Sequence, residues 1–357
     1  MMDITVVPLT SAQTHDPRVE GWGFWDKFSD RSFTQHYTAG KGWHSATIGA
    51  YEPLALNPAS TVFHYGQAIF EGCKAFRRPD GHINLFRPWD HAKRFNRSAE
   101  RMMMPVVPAE DHVEAIVTLV QMDQIWVPDV PDASLYIRPI MFATDMVLGV
   151  AVSKSYIHSV MTSPLLPHED LLLPMPIYIA DEYPRAMIGG TGDVKAACNY
   201  PAALHLTAAV QKEGFEDVLW LDAIHRRYVE EVGTMNFAVV YNGQEIVTPA
   251  LTGTILPGIT RESVMTLAPE CGYTVTEAEL DVHEMLADIR AGKITEAFGT
   301  GTGAVVAPVG KLGYKGDEYI LNHGDIGPVT QHLRQALTDV QFGRVPDKHG
   351  WTLKIEV

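Results

Sequence analysis

The chain has 357 residues, 46% of them hydrophobic and 20% charged, and its 28 Lys and Arg against 43 Asp and Glu leave a formal net charge of −15. This composition excludes a disordered, collagen-like or coiled-coil protein, and the acidic balance argues against a nucleic-acid-binding protein. No run approaches the roughly 20 apolar residues of a membrane span, the N-terminal segment lacks the apolar centre of a signal peptide, and the three cysteines are scattered, so we expect a cytoplasmic protein without disulfides or a bound metal.

The first half of the chain has the pattern of strands followed by helices and further strands. A helix is predicted to begin at Pro88, because apolar residues recur at three- and four-residue spacing from Trp89 to Met102. A second helix is predicted over about residues 113–125. Short apolar segments predict strands over residues 45–51, 73–76, 83–86, 134–143 and 155–162.

Residues 163–176 mark the clearest break in the chain. Four prolines between Pro164 and Pro176 remove backbone donors and fix φ, so we expect neither a helix nor a central strand there. Because a single core rarely exceeds about 300 residues, two domains are expected. The predicted division is an N-terminal small domain over residues 1–163, a linker over 164–176 and a C-terminal domain over 177–357.

The second half mixes strands and helices and contains one strong hairpin signal. Asn242-Gly243 lies between two strand-like runs and predicts a tight β-hairpin. Helices are predicted over residues 201–214, 258–271, 283–291 and 328–342, and strands over residues 217–222, 226–232 and 294–298. Hairpins mixed with helices, rather than regular βαβ units, predict an α+β fold.

The glycine-rich segment EAFGTGTGAVVAPV has the spacing of a dinucleotide-binding motif, with Gly299, Gly301 and Ala304 after a predicted strand. The β-branched, proline-containing residues that follow do not suit the helix which that motif requires, so we do not expect a Rossmann site. Two interpretations remain: a plain tight turn, or a turn whose N–H groups and hydroxyls, at Thr300 and Thr302, hold an anion.

A helix start and a stripe of arginines are further candidates for anion binding. Ile259 and Thr260 open a predicted helix whose first N–H groups have no partner within the helix and suit a phosphate, although Thr260 could simply cap the helix. Arg94, Arg97 and Arg101 share one stripe of the first predicted helix, where one of them could turn inward and bind a phosphate with its guanidinium fork. The spacing does not choose among the three.

Two lysines and one glutamate could be removed from water. Lys74 and Lys195 lie in small or apolar company, where a lysine becomes an amine nucleophile, although most such lysines extend to solvent. Glu231 alternates with Val229 along a predicted strand and is buried if Val229 is. A buried carboxylate requires a cation, and no basic residue of the segment YVEEV is in phase to supply it. Its partner is therefore expected to be a distant arginine or a cationic ligand.

Together these features describe a pyridoxal phosphate site, and the chain resembles the branched-chain amino acid aminotransferases of the fold type IV class. The resemblance implies the cofactor pyridoxal 5'-phosphate, a homodimer, and a fold with a smaller N-terminal α/β domain and a larger C-terminal barrel-like domain. The implied reaction is transamination between leucine, isoleucine or valine and 2-oxoglutarate. The similar segments run in family order from about residue 20 to the C-terminus and include HYGQAIFEGCKAF, INLFRPWDHAKRFNRSAERM, SLYIRP, KAACNY, YVEEVGTMNF, LTGTILPGITRESV and EAFGTGTGAVVAPV.

The resemblance also implies roles for individual residues. Lys195 matches the lysine that holds the cofactor covalently and moves the proton, Tyr200 matches the tyrosine at its phenolic oxygen, and Glu231 matches the carboxylate at its ring nitrogen. The other cofactor contacts are matched by Arg94, Leu256, Ile259, Thr260 and Thr302. The substrate pocket is matched by Phe28, Tyr136, Arg138, the N–H groups of Gly303 and Ala304, and Tyr65, which the family supplies from the neighbouring subunit. Lys74 matches no catalytic position.

Three departures from the family pattern are visible. Ala304 and Ala307 replace a Cys-x-x-Cys pair that members often carry, so no such redox switch is expected. Ala197 and Cys198 replace two glycines after the lysine. The linker, with residues 165–168, replaces an aromatic loop.

Alternatives to this function lie both within the fold type IV class and outside it. Within the class, the alternatives are a D-amino acid aminotransferase, an amine transaminase and an aminodeoxychorismate lyase. A silent binding protein of the same fold is expected to lack Lys195 or Glu231, and both are present. A nicotinamide enzyme that uses the glycine-rich turn is expected to be colourless and to bind NAD.

Overall fold

The computed structural model describes residues 2–10, 14–22, 26–166 and 173–357. The chain forms two compact units. Among the described residues, the first unit comprises those up to 166 together with 195–198 and 339–357, and the second comprises 173–194 and 199–338. Lys195 therefore belongs to the first unit, whereas Glu231 belongs to the second.

Strands and helices are mixed along the chain in both units. The strands are β1 Thr5–Val6, β2 Arg31–Thr38, β3 Gly42–Ala50, β4 Ala68–Phe70, β5 Cys73–Arg77, β6 Ile83–Phe86, β7 Ser134–Ala143, β8 Ser155–Leu165, β9 Met175–Ile179, β10 Asp217–Leu221, β11 Val229–Val232, β12 Met235–Tyr241, β13 Glu245–Pro249, β14 Thr274–Ala278, β15 Ile294–Gly301, β16 Val305–Tyr314, β17 Asp317–Ile320 and β18 Thr352–Ile355. The helices are α1 Pro17–Glu20, α2 Thr61–Tyr65, α3 Pro88–Arg101, α4 Ala109–Met122, α5 Pro201–Gln211, α6 Ile259–Glu270, α7 Val282–Arg290 and α8 Pro328–Gln341.

The first unit is built on one sheet with the strand order β1, β3, β2, β8, β7, β5, β6, β18, and β4 pairs with β7. Helix α4 packs Ile116 and Leu119 into a buried cluster with Phe33 of β2. Helix α3 packs Phe95 into a second cluster with Ile69 of β4. Because alternate residues of a strand share one face, β7 projects Tyr136 and Arg138 to the same side.

The second unit contains a closed barrel. Strands β9, β10, β11, β12, β15 and β16 pair in turn, and β16 pairs with β9 to close a six-stranded ring. Its buried cluster includes Ile177, Leu219, Phe237 and Val309 from barrel strands and Met285 from α7. The fold is therefore α+β with a barrel in its C-terminal part, as predicted.

Two turns of the barrel unit settle expectations from the sequence. Asn242 and Gly243 have φ of 49° and 67° in the turn between β12 and β13, and the Gln244 N–H donates to the Tyr241 carbonyl at 2.9 Å, so these two residues are the left-handed centre of the predicted tight turn. The glycine-rich segment is also a hairpin, because β15 runs to Gly301 and β16 starts at Val305. No helix follows the glycines, so the segment is not a Rossmann motif.

The proline-rich segment differs from the prediction at both of its ends. Strand β8 continues through Pro164, which lies opposite Leu135, and β9 begins at Met175 and includes Pro176. Pro164 is accommodated next to the last residue of its strand, where the loss of one donor breaks little of the ladder. The middle of the segment, residues 167–172 with the predicted loop positions Pro167 and His168, lies outside the described residues.

Three features are absent from the described ranges. None of their helices is long and apolar enough to cross a membrane. No three or more of their His, Cys, Asp and Glu side chains are grouped to hold a metal ion. No disulfide joins their cysteines.

Candidate active site

Lys195 is tied to two elements of the first unit through its backbone. Its carbonyl accepts the N–H of Phe70 at 3.1 Å, and its N–H donates to Ser98 Oγ of α3 at 3.0 Å. The next residue, Ala196, forms a β-bridge with Ile69. The lysine is thus held beside the end of β4, with its Nζ 4.7 Å from the centre of the Phe70 ring.

Phe70 is a contact residue that the sequence did not single out. The Arg138 guanidinium carbon lies 4.7 Å from the centre of the Phe70 ring and 5.1 Å from that of Tyr136, so the cation stacks on two aromatic faces. Arg138 Nη2 also donates to the Tyr136 hydroxyl at 3.1 Å. Burial raises the pKa of the Tyr136 phenol, which keeps it neutral. In this way Lys195 and the predicted substrate residues Tyr136 and Arg138 are gathered around one ring.

Gly72 makes room for Tyr136. A Cβ at Gly72 would lie 1.9 Å from the Tyr136 hydroxyl oxygen, far inside van der Waals contact. The glycine is required by close approach rather than by φ, and sequence spacing alone gives no sign of it.

Arg94 is the inward member of the predicted arginine stripe, whereas Arg97 and Arg101 are exposed. Its Nε and Nη2 bind the fully buried Glu71 carboxylate at 2.5 and 2.9 Å, and His91 Nδ1 contacts the same carboxylate at 2.7 Å. Burial alone would raise the pKa of Glu71, but Arg94 and His91 hold it well below its usual value. Arg94, the phosphate-binding residue that the resemblance implies, is therefore held by a buried carboxylate, that of Glu71, which the sequence did not indicate.

Phe28 and Tyr65 are on the surface of the first unit. Phe28 stacks on Tyr51, with ring centres 4.7 Å apart. The Tyr65 hydroxyl, at the end of α2, donates to the Leu148 carbonyl. Neither side chain is enclosed, as both are exposed, so their predicted pocket role stays a prediction.

Three predicted cofactor residues line one cavity of the second unit. This cavity of about 170 Å³ has walls that include Tyr200, Glu231 and Leu256, together with Arg185. Tyr200 comes from the start of α5, Glu231 from β11 and Leu256 from the loop before α6. A phenol and a buried carboxylate thus face one partly apolar space.

The cation expected beside Glu231 is a distant arginine. Glu231 is 4% exposed, and its Oε2 lies 3.2 Å from Arg185 Nε. Its Oε1 accepts the Leu256 N–H at 2.8 Å, and Asn236 Nδ2 donates to the Leu256 carbonyl at 2.8 Å. Because β11 and β12 set Glu231 opposite Asn236, these two side chains together fix both polar groups of the Leu256 backbone.

The start of α6 has a glycine as its cap residue. Gly258 is the N-cap and offers no side chain, so Thr260 lies inside the first turn and does not cap the helix, contrary to one of the two interpretations of the sequence. A Cβ on Gly258 would lie 1.9 Å from Asn236 Oδ1, which explains the glycine. The first turn, with Ile259 and Thr260, retains the partial positive charge of a helix N-terminus.

The remaining predicted residues form the turn between β15 and β16. Gly301 pairs with Val305, so Thr302, Gly303 and Ala304 make up the loop. Val305 has a φ of 65°, a left-handed conformation that costs a residue other than glycine about 1–2 kcal/mol. This backbone strain lies next to the N–H groups predicted to bind the substrate carboxylate.

Comparisons with known proteins identify the family of this chain. The family model for amino-transferase class IV matches residues 68–312. Branched-chain-amino-acid transaminase 1 of Bacillus subtilis (strain 168) is 46% identical over 95% of this chain and 96% of its own length, and branched-chain-amino-acid aminotransferase 2 of that strain is 40% identical over 98% and 96%. The solved branched-chain amino acid aminotransferase from Escherichia coli has a TM-score of 0.74 at 26% identity, covering 92% of this chain and 100% of that one. The solved branched-chain amino acid aminotransferase from Thermobaculum terrenum in its PLP-form has a TM-score of 0.76 at 22% identity, covering 92% and 100%, and supports the fold. The chain belongs to the class IV aminotransferase family.

Proposed function

We propose that the protein is a pyridoxal phosphate-dependent branched-chain amino acid aminotransferase. It transfers the amino group of leucine, isoleucine or valine to 2-oxoglutarate, giving the branched-chain 2-oxo acid and glutamate. The observation that carries the proposal is the cavity whose wall brings together Tyr200, Glu231 and Leu256 in a chain with curated relatives of that activity at 40–46% identity over nearly its full length.

The residues present suit pyridoxal phosphate. The Glu231 carboxylate offers the acid that a ring nitrogen needs to stay protonated, and the Tyr200 phenol offers a donor for the ring oxygen. The start of α6 and Arg94 offer N–H groups and a cation for a phosphate. When bound, the protonated ring of the cofactor accepts the electron pair left on the substrate α-carbon.

Different side chains and backbone N–H groups of the chain have separate roles in this reaction. The Lys195 amine would hold the cofactor covalently and, when free, would remove the α-proton of the substrate and return it. Glu231, held by Arg185 and the Leu256 N–H, keeps the ring nitrogen protonated. Arg94, Ile259, Thr260 and Thr302 bind the phosphate, and Gly303 and Ala304 donate N–H groups to the substrate carboxylate.

Substrate recognition has to serve both an apolar side chain and the second carboxylate of glutamate. The Phe70 and Tyr136 rings present apolar surface, and Arg138, stacked on both, presents a fixed cation. Phe28 and Tyr65 complete the pocket in this proposal. An aromatic surface with one fixed cation suits both kinds of substrate.

We further propose a cytoplasmic homodimer in which Tyr65 serves the neighbouring subunit. The support is a run of exposed apolar side chains beside Tyr65, since Leu148 is 70% exposed and Val150 84%. Contiguous apolar surface of this kind marks a protein interface.

The test begins with the purified protein loaded with pyridoxal phosphate. Borohydride reduction should fix the cofactor onto Lys195, as found by peptide mapping, and label on Lys74 would overturn the assignment. Rates should be high with L-leucine and L-valine and low with D-alanine and simple amines. Absence of turnover with both L-amino acids would overturn the substrate assignment and favour another member of the class.

A further inference from the structure

The turn between β15 and β16 is followed by a residue whose side-chain type does not suit its backbone conformation. A left-handed backbone position at the end of a tight turn is usually occupied by glycine, which has no Cβ to clash. Val305 stands there with a φ of 65°, and its side chain is buried. Because β-branched residues rarely adopt this conformation, interactions from outside the turn must stabilise it.

Arg334 of α8 supplies such interactions. Its Nη1 donates to the carbonyl oxygen of Ala304 at 2.7 Å and to that of Val306 at 2.8 Å. These two carbonyls lie on either side of Val305, so one guanidinium brackets the strained residue. Hydrogen bonds from a charged donor are stronger than those between neutral groups.

Helix α8 is in turn fixed to the strand that leads into the turn. The buried Glu296 carboxylate of β15 accepts the N–H of Val329 at 3.0 Å and that of Thr330 at 2.8 Å. A Cβ on Gly327 would lie 1.9 Å from the Glu296 carboxyl carbon, so the glycine lets the helix start approach. Strand β15 therefore positions the start of α8, and α8 in turn places Arg334 against the turn of the β15–β16 hairpin.

We propose that Arg334 is a positioning residue for the substrate carboxylate. By holding Val305 in its left-handed conformation, it sets the direction of the Gly303 and Ala304 N–H groups. A change of φ at Val305 would rotate the neighbouring peptide groups, and small misplacements of binding groups are costly. This inference rests on the proposed function, in which those N–H groups receive the carboxylate.

The first test compares two probes that each carry half of leucine's polar groups. 4-Methylpentanoate has the carboxylate without the amine, and 3-methylbutylamine has the amine without the carboxylate. In the holoenzyme, Arg334→Met should raise the dissociation constant of 4-methylpentanoate about tenfold, or about 1.4 kcal/mol. The constants for 3-methylbutylamine and pyridoxal phosphate should stay unchanged, and KM for L-leucine should rise more than kcat falls. Equal weakening of both probes would overturn the proposal.

The second test is a rescue that a merely structural role does not predict. Val305→Gly removes the strain, so in the Arg334→Met background it should restore most of the affinity for 4-methylpentanoate. A double variant no better than Arg334→Met would refute the role. The matched control is Arg290→Met, which removes an exposed arginine paired with Asp317 at 2.9 Å and should leave both constants unchanged.

Two further outcomes are informative. If Arg334→Met does not fold, Arg334→Lys, whose single ammonium is less able to reach both carbonyls, should give an intermediate loss for 4-methylpentanoate alone; no loss there would refute the proposal. If the wild-type holoenzyme neither turns over L-leucine nor binds 4-methylpentanoate, the proposed function itself fails. Normal wild-type binding with unaffected variants refutes only the role of Arg334.

Discussion

Glu71 is a single residue on which the orientation of Arg94 depends. The pair is buried, with two guanidinium nitrogens on one carboxylate, and His91 adds a third contact. Removing one member of a buried pair leaves the other charge without compensation. Glu71 therefore bears on both the stability of the first unit and the direction in which Arg94 is presented.

Glu71→Gln is expected to weaken pyridoxal phosphate binding about tenfold, because Arg94 loses the anion that orients its fork. The free energy of unfolding should fall by about 3 kcal/mol. Affinity for pyridoxal, which lacks the phosphate, should change little. Absorbance titrations of the apoenzyme measure both ligands, and Glu100→Gln, at an exposed position of α3, the helix that carries Arg94, is the control. Equal losses for the two ligands would argue against a role at the phosphate.

Gly72→Ala tests the packing of Tyr136. The new methyl group must displace the phenol, which breaks its hydrogen bond to Arg138 and exposes a stacked cation. We expect KM for L-leucine and for 2-oxoglutarate to rise about tenfold, the order of one lost charged hydrogen bond. Gly49→Ala, where the Cβ meets Val7 at an ordinary 3.5 Å, should leave steady-state kinetics unchanged. If both variants have the same KM values, the close approach of Gly72 to Tyr136 does not contribute to substrate binding.

At this scale the sequence indicated residues whose own neighbourhoods are unusual. Glu231 in an apolar strand and Lys195 among small residues are examples. It did not indicate Phe70, Arg185 or Arg334, because their importance comes from partners far along the chain. A pattern of local periodicity carries no information about those contacts.

Among the elements, α8 shows how a strand can define where a helix begins. Pro328 predicted the helix start from the sequence, and the structure confirms it. The carboxylate that satisfies its first N–H groups, Glu296, comes from β15, so no local capping pattern could reveal it. Likewise the hairpin at Asn242-Gly243 was predictable from two residues, whereas the closure of β16 on β9 was not, because it joins strands far apart in sequence.

Glu296→Ala should lower the free energy of unfolding by about 2–3 kcal/mol, since it leaves the N–H groups of Val329 and Thr330 and the Thr330 hydroxyl without their acceptor. Denaturant unfolding followed by circular dichroism measures the loss. Glu318→Ala removes an exposed carboxylate from β17 and should change stability by less than about 1 kcal/mol. A similar loss in both variants would show that the cap carries no special stability.

For the whole molecule, the exposed apolar side chains beside Tyr65 predict that the protein works as a dimer. Leu148→Asp places a charge in this surface, and burying that charge would be unfavourable. The variant dimer should therefore dissociate at a higher protein concentration than the wild-type dimer. Sedimentation velocity measures the shift, and turnover of L-leucine should fall with the dimer fraction if Tyr65 serves the neighbouring subunit. Ile320→Asp, at an exposed apolar position of β17, is the control. A Leu148→Asp protein that remains dimeric would refute this interface.

Acid stability depends on two histidines buried in the first unit. His112 and His158 stack with ring centres 5.1 Å apart, and no described residue hydrogen-bonds to either ring nitrogen of His112. Burial lowers the pKa of His112 to about 4 and that of His158 well below its usual value. The unfolded chain, with ordinary histidines near pH 6.5, therefore binds more protons, and stability is lost as the pH falls from about 6.5 through 4.

His112→Phe should reduce the slope of the free energy of unfolding against pH by up to about 1.4 kcal/mol per pH unit. Stability at pH 7.5 should be kept or increased, because the phenyl ring, unlike the imidazole, buries no polar nitrogen without a hydrogen bond. Urea unfolding at pH 7.5, 6 and 5 measures the slope. Paired carboxylates such as Glu71 also titrate on acidification, but they are common to both proteins, so the difference in slope isolates the histidine. The control for the substitution itself is His205→Phe, at an exposed position. Parallel curves for wild type and His112→Phe would mean that water reaches this cluster.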